Sequence, residues 1–245
     1  MNDSASRSVL DVERDGNVTL LTLTRDDRRN ALNIELCNAL REAAEAAVAD
    51  GTRVIVVTGR GSAFCSGADL GGVYGPEFLK ALYGMLHGLT QLPVPVIAAV
   101  NGPAIGAGTQ LALACDLRVA DETVRFAVPT AKNGMAVDGW TIRTLAQLAG
   151  AGRARRLMLA ADALDRDEAL AAGLVDRSGT LDDALAWAHE IAELAPLVLA
   201  HNKLVLNGGD DEAVHASFQA VWASEDVREA AAARAEKRSP EFTGR

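Results

Sequence analysis

Residues 98–110, Ala-Ala-Val-Asn-Gly-Pro-Ala-Ile-Gly-Ala-Gly-Thr-Gln, join an apolar run to a glycine turn. The run Val96 to Val100 reads as a buried strand. It breaks at Asn101-Gly102-Pro103, and Gly106-Ala107-Gly108 then opens an Ala/Leu-rich segment that reads as a helix. Strand, tight turn and helix start leave free backbone N–H groups at the positive end of a helix dipole. Such donors can hold a developing oxyanion. Gln110 follows, an amide that neither takes nor gives a proton as a carboxylate would. A second stretch, Gly61-Ser62-Ala63-Phe64-Cys65-Ser66-Gly67-Ala68-Asp69-Leu70, places small residues after another apolar strand, Val54 to Val57. Taken alone, these glycines also suit plain turns. They make no dinucleotide fingerprint, because Phe64 stands where the third glycine belongs, and no Gly-Lys-Ser/Thr phosphate loop occurs.

The elements that position these residues alternate along the chain. Residues 8–13 and 18–24 read as strands around the turn Asp15-Gly16-Asn17. Residues 34–49 read as an amphipathic helix with Leu36, Leu40, Ala44 and Val48 at spacing four, and Asn33 suits its N-cap. Strands at 54–58, 94–100 and 117–120 alternate with helical segments, which argues for βαβ units in an α/β fold. Residues 71–80 predict a mobile loop before a helix near 77–91. From about residue 181 the pattern is helical only, in two blocks broken at Asn207-Gly208-Gly209-Asp210. A core of residues 1–190 followed by a helical region, 191–245, is the expected organisation.

The chain has 245 residues, 49% of them hydrophobic, enough for one sizeable domain with an appendage. A net charge of −9 argues against general nucleic-acid or membrane-surface binding, which needs a basic face. Residues 1–17 are polar, and no apolar run approaches the roughly 20 residues that span a bilayer. Cys37, Cys65 and Cys115 are odd in number, fit no metal-ligand spacing, and read as reduced thiols in or near the core. The expectation is a soluble cytoplasmic protein with no metal and no resident cofactor.

Arg29-Asn30-Ala31-Leu32-Asn33, Phe64 to Leu70, Asn101-Gly102 with Gly106-Ala107-Gly108, and Cys115-Asp116-Leu117-Arg118 resemble, in order and spacing, the crotonase (enoyl-CoA hydratase/isomerase) superfamily. The resemblance covers nearly the whole chain and implies a spiral of ββα units with a helical C-terminal region. It implies a coenzyme A thioester as ligand or substrate, its carbonyl held by the backbone N–H groups of Ala68 and Ala107. The segment around Arg29 and Ala31, with Ser66, Ala68, Asp69 and Leu70, would hold the adenine and phosphate end, where a guanidinium suits phosphate oxygens. Phe218 and Lys237 align with positions that reach coenzyme A, often from a neighbouring subunit, although alone they also read as helix core and solvated surface. Trimers or dimers of trimers, packed through the C-terminal helices, are implied.

Hydratases of this family use two glutamates, and the alignment places Gln110 and Thr130 there. Neither side chain titrates near neutral pH, so the resemblance implies feeble hydration at best. Asp138 remains, in Val137-Asp138-Gly139-Trp140. It reads either as a turn former or cap, or as a pocket acid whose pKa burial beside Trp140 would raise. Trp140 is also expected to shape the pocket. His87, His189, His201 and His215 lie in helical segments at no ligand spacing and receive no chemical role. The whole pattern resembles a mycobacterial-type branch of hydratase-like proteins. This implies a fatty acyl-CoA-binding protein of lipid metabolism, homotrimeric or hexameric. The alternatives are an active hydratase, an isomerase or thioester hydrolase using Asp138, and an acyl-CoA-regulated partner of a lipid-synthesis protein.

Overall fold

The computed structural model describes residues 8–71 and 75–245. The chain opens with a hairpin, β1 (Leu10–Asp15) and β2 (Val18–Leu23), turned by Gly16 at φ +57°. Next come α1 (Ile34–Ala49), β3 (Val54–Gly59), α2 (Pro76–Gln91), β4 (Val96–Val100), β5 (Ala104–Ile105), α3 (Ala107–Ala114) and β6 (Leu117–Ala120). After β7 (Arg125–Ala127) a 3-10 turn, Pro129–Asn133, leads to α4 (Gly139–Ala149), α5 (Ala151–Leu159), β8 (Ala163–Asp165), α6 (Arg166–Ala172) and β9 (Arg177–Ser178). Four helices finish the chain: α7 (Leu181–Ala192), α8 (Pro196–Leu206), α9 (Asp211–Ala223) and α10 (Glu225–Glu236).

The main sheet runs β1-β2-β3-β4-β6-β9, with only β1–β2 antiparallel, and β5-β7-β8 form a second, smaller sheet. Every residue of β3 and β4 is buried, as expected of parallel strands covered on both faces. Strand alternation sorts their side chains. Ile55, Val57, Val96, Ala98 and Val100 face the core built with α1, α2 and α3. Val54, Val56, Ile97 and Ala99 face Ala184, Ala188, Ile191 and Ala192 of α7.

Two expectations change. The helix expected near 77–91 begins at Pro76, so residues 76–80 of the expected loop are helical. A proline at the first helical position lacks only an N–H that has no partner there anyway. Residues 72–74 lie outside the described residues. The C-terminal region holds four helices rather than two blocks, because Pro196 starts a new helix at N1 and extended Ser224 ends α9 and caps α10.

One buried contact fastens α8 to the core. Lys203 Nζ donates to the carbonyls of Leu89 (3.0 Å) and Val94 (2.9 Å) and to Asp116 Oδ2 (2.7 Å), which also accepts the Val96 N–H (2.8 Å). Beyond Lys203, α8 and α9 bury no residue fully, and Leu206 (84% exposed) and Trp222 (65%) face outward. An open cavity of about 1240 Å³ lies between these helices and the core.

Cys37, Cys65 and Cys115 are free and buried, and burial pushes each thiol up to about 12. At pH 8 roughly one such thiol in ten thousand is ionised, and the thiolate is the reactive species. The native protein is therefore expected to give almost no colour with a thiol-specific disulfide reagent until denaturant is added. Prompt labelling of any one cysteine would contradict this placement.

Candidate oxyanion site and its polar network

Two asparagines shape the loop after β3. Asn30 Nδ2 donates to the carbonyls of Arg60 and Ala63 (both 2.9 Å), and Asn101 Nδ2 to those of Gly59 (2.7 Å) and Gly61 (3.0 Å). The segment 29–32 then runs beside 66–69: the Ser66 N–H donates to the Arg29 carbonyl (2.9 Å), Leu32 to Gly67 (2.8 Å) and Asp69 to Leu32 (2.8 Å). Arg25 closes this edge through the Ala31 carbonyl and Asp69 Oδ2, 2.9 Å away. The hydrogen bond from that guanidinium holds the Asp69 carboxyl below its usual range. The carboxylate is thus engaged in fixing the loop.

The same loop is stitched to the start of α3. The Ile105 N–H donates to the Cys65 carbonyl (2.9 Å) and the Cys65 N–H to the Pro103 carbonyl (3.2 Å). Glycine is required at this seam. A methyl on Gly108 would lie 2.1 Å from the Cys65 carbonyl oxygen, and one on Gly67, at φ +109°, 2.9 Å from that of Ile105 and 3.8 Å from the Ala107 nitrogen. Ala68 follows Gly67, and Ala107 is the first residue of α3. Neither backbone N–H has an acceptor among the described residues. Two unpaired donors on adjoining loops, one at a helix N-terminus, suit an oxyanion.

Gln110 lies one turn into α3 and is 3% exposed. Its Nε2 donates to Thr141 Oγ1 (2.8 Å), which donates to Asp138 Oδ1 (2.6 Å). Asp138 Oδ1 also accepts the Thr141 N–H (2.9 Å), so Asp138 is the N-cap of α4. The Asp138 N–H donates to Tyr83 Oη (3.0 Å), and Asp138 Oδ2 lies 3.5 Å from His87 Nε2. His87 stacks on Tyr83 and meets Trp140 edge-on, at centroid distances of 6.0 and 5.2 Å. The large cavity meets this network at His87 and Trp140 and does not extend to Ala68 or Ala107.

Asp138 is therefore both the cap and a member of a polar network, with Oδ1 hydrogen-bonded to Thr141 and Oδ2 close to His87. His87, given no role from sequence, stands beside it. The available signal was Tyr83 and His87 four residues apart on one helix face, with Thr141 at the N3 spacing from Asp138. Thr130 sits in the 3-10 turn, where its carbonyl accepts the Met135 N–H (3.0 Å) and its side chain makes no hydrogen bond among the described residues. This turn follows β7, whose Ala127 carbonyl accepts from Gly106 N–H (2.7 Å) and Thr109 Oγ1 (2.9 Å), so α3 and the Thr130 turn are tied together. Arg29 is exposed at φ +49°, its side chain without a partner among the described residues, and Leu70 is exposed. Phe218 packs near His201 and Trp222 on the outside of α8–α9, and exposed Lys237 ends α10.

Known proteins resemble this chain in sequence and fold. The sequence model described as enoyl-CoA hydratase/isomerase matches residues 13–245. The "Probable enoyl-CoA hydratase echA6" of Mycobacterium tuberculosis is 47% identical over 235 residues, covering 93% of this chain and 96% of that protein. The 2,3-dehydroadipyl-CoA hydratase of Escherichia coli is 35% identical over 254 residues, covering 97% and 100%. A crystal structure of an enoyl-CoA hydratase/carnithine racemase from Magnetospirillum magneticum superposes with a TM-score of 0.89 at 30% identity, covering 98% of this chain and 97% of the other. Among the described residues no helix is long and apolar enough to cross a membrane. The glycine-stitched loops, the strand order and the match over almost the full length agree, and the chain belongs to the enoyl-CoA hydratase/isomerase family of the crotonase superfamily.

Proposed function

We propose that this protein binds fatty acyl-CoA thioesters in lipid metabolism and hydrates enoyl-CoA weakly or not at all. The observation that supports the reading is that the Ala68 and Ala107 N–H groups have no acceptor among the described residues, while Gln110 and Thr130, where the resemblance implies glutamates, do not titrate near neutral pH. The donors polarise a thioester carbonyl, an effect worth roughly 10²–10³-fold per donor in enzymes that use it. Nothing at Gln110 or Thr130 then activates a water or protonates carbon, a contribution of about 10²–10⁴-fold. Arg29 and the backbone around Ala31, Ser66 and Leu70 hold the nucleotide end, with Asp69 bracing the loop. Phe218 and Lys237 complete that end in a homotrimer or hexamer built on the exposed faces of α8 and α9.

The purified protein is expected to bind long-chain acyl-CoA while hydrating crotonyl-CoA near the background rate, with product followed by mass spectrometry. Turnover in the ordinary range, about 1–10³ s⁻¹, would overturn the reading. Ala107→Pro tests the donor itself. Proline at N1 is compatible with a helix, and its ring carbon Cδ replaces the amide hydrogen at the point where the carbonyl oxygen would sit. The variant should keep its helical circular dichroism and lose at least about tenfold in acyl-CoA affinity, the scale of one neutral hydrogen bond. Unchanged affinity would show that the carbonyl lies elsewhere.

A second reading, an isomerase or thioester hydrolase, takes its support from the acid beside an imidazole. With Asp138 Oδ1 bonded to Thr141 and Oδ2 facing His87, His87 would move the proton and Asp138 would orient it. His87→Asn and Asp138→Asn should then both abolish turnover of an enoyl- and acyl-CoA panel while leaving affinity intact. Turnover that survives either change excludes this reading.

A further inference from the structure

The Ala107 N–H polarises a bound group only if its peptide plane is held in one direction. The Gly106 carbonyl accepts the Gln110 N–H (3.1 Å), the first bond of α3. In a trans peptide the N–H and C=O point opposite ways, so the Ala107 N–H is aimed back out of the helix start. On the other side of Gly106, its own N–H donates to the Ala127 carbonyl (2.7 Å). Between the two planes the chain turns at φ +56° and ψ −114°, outside the left-handed well that other residues enter. Glycine crosses this region freely and does not hold it. Packing does not hold it either, because a methyl on Gly106 would meet nothing within 4 Å. The direction of the Ala107 N–H therefore depends on the hydrogen bonds around it.

One side chain joins those bonds. Thr109, in the first turn of α3, is 0% exposed. Its Oγ1 lies 2.6 Å from the Ala104 carbonyl and 2.9 Å from that of Ala127. Ala104 starts β5, the strand that leads into Gly106, and Ala127 ends β7, which pairs with it. A single hydroxyl thus bridges the strand that enters the turn and the carbonyl that receives the Gly106 N–H. Valine would fill the same space, so what the hydroxyl adds is its grip on the two carbonyls.

We infer that Thr109 is a positioning residue: by gripping the carbonyls of Ala104 and Ala127 it fixes the direction of the Ala107 N–H, and with it the polarisation of a bound thioester carbonyl. This rests on the reading that an acyl thioester binds with its carbonyl at Ala68 and Ala107. A hydrogen bond weakens steeply as it bends, so a donor must be aimed as well as free. A donor aimed before the ligand arrives also needs no reorganisation when it binds. Thr109 touches no ligand and acts only through Gly106 and Ala107.

The test reads the bound carbonyl directly. The full chain is saturated with hexadecanoyl-CoA, isotope-labelled at the thioester carbonyl, and the C=O stretch is followed by difference infrared spectroscopy. Titration calorimetry gives the affinity and thermal melting the stability. In the wild type the stretch is expected below its value in water, the mark of polarisation by aimed donors. In Thr109→Val it should move back toward that value and broaden, with affinity about three- to tenfold weaker, the scale of one neutral hydrogen bond. Thr109→Ala should do the same, and serves if valine against two unpaired carbonyls gives too little folded protein. Thr109→Ser keeps the hydroxyl and should restore the position and width of the stretch, whatever its melting temperature. A merely structural role would lower the melting temperature and leave the stretch of the bound ester in place. A stretch that is shifted in the wild type and unmoved in either folded variant, or that Thr109→Ser fails to restore, overturns the inference and leaves the acyl-thioester reading standing. A wild-type stretch no different from that in water overturns that reading, and the inference with it.

Discussion

The variant Gln110→Glu/Thr130→Glu is expected to hydrate crotonyl-CoA about 10²–10⁴-fold faster than the parent, the range of general acid–base catalysis. The Ala68 and Ala107 N–H groups are unpaired, and the Ala127 carbonyl ties the first turn of α3 to the strand leading into the Thr130 turn. A glutamate at 110 would still meet Thr141, whose hydroxyl can donate to either neighbouring carboxylate. Either single change should fall well short of the pair, because residues acting as a unit are not additive. Product formation by mass spectrometry, at saturating crotonyl-CoA, gives the rate. A double variant that binds the thioester normally and gains nothing would mean that positions 110 and 130 do not flank the reacting carbons.

The other large effect concerns stability. Lys203→Met should destabilise the fold by about 3 kcal/mol, the lower end of what removing one member of a buried ion pair costs, because Lys203 is buried while Asp116 is partly exposed. At about 2–4 °C per kcal/mol for a chain of this size, the melting temperature should fall by roughly 10 °C. Lys203 also satisfies the carbonyls of Leu89 and Val94, at the end of α2 and before β4, so the change leaves more than one buried acceptor without a donor. Asp116 reports the environment: burial pushes its carboxyl up, against the opposing pull of the Lys203 ammonium. Lys203→Met/Asp116→Asn should recover part of the loss by removing the stranded charge, and limited proteolysis should cut the single variant first between α7 and α9. A melting temperature within about 2 °C of the parent would show that the pair is not what fastens α8.

Much of the architecture was legible because the signals are local. Asn33 and the spacing of Leu36, Leu40 and Ala44 define α1, and the continuous apolar runs of β3 and β4 announce a sheet covered on both faces. The two glycine loops were legible as turns for the same reason. What stayed hidden is tertiary. The strands β5 and β9 have two residues each, too few to show any period. Asp138 reads as a cap from its neighbours alone, and only the packing of α2 against the start of α4 brings His87 and Tyr83 to it. The committed NH₂ of Gln110 is likewise set by Thr141, 31 residues away.

The closeness of Gly108 and Gly67 to the carbonyls of Cys65 and Ile105 has an evolutionary consequence. The seam between the two loops is written in main chain and guarded by two residues at which a side chain would strike backbone. The groups at 110, 130 and 138 are side chains, which change one codon at a time. Drift can therefore replace those side chains while the paired loops pass unaltered to descendants. On the proposed function, such a scaffold could turn from catalyst to carrier, and back, without refolding.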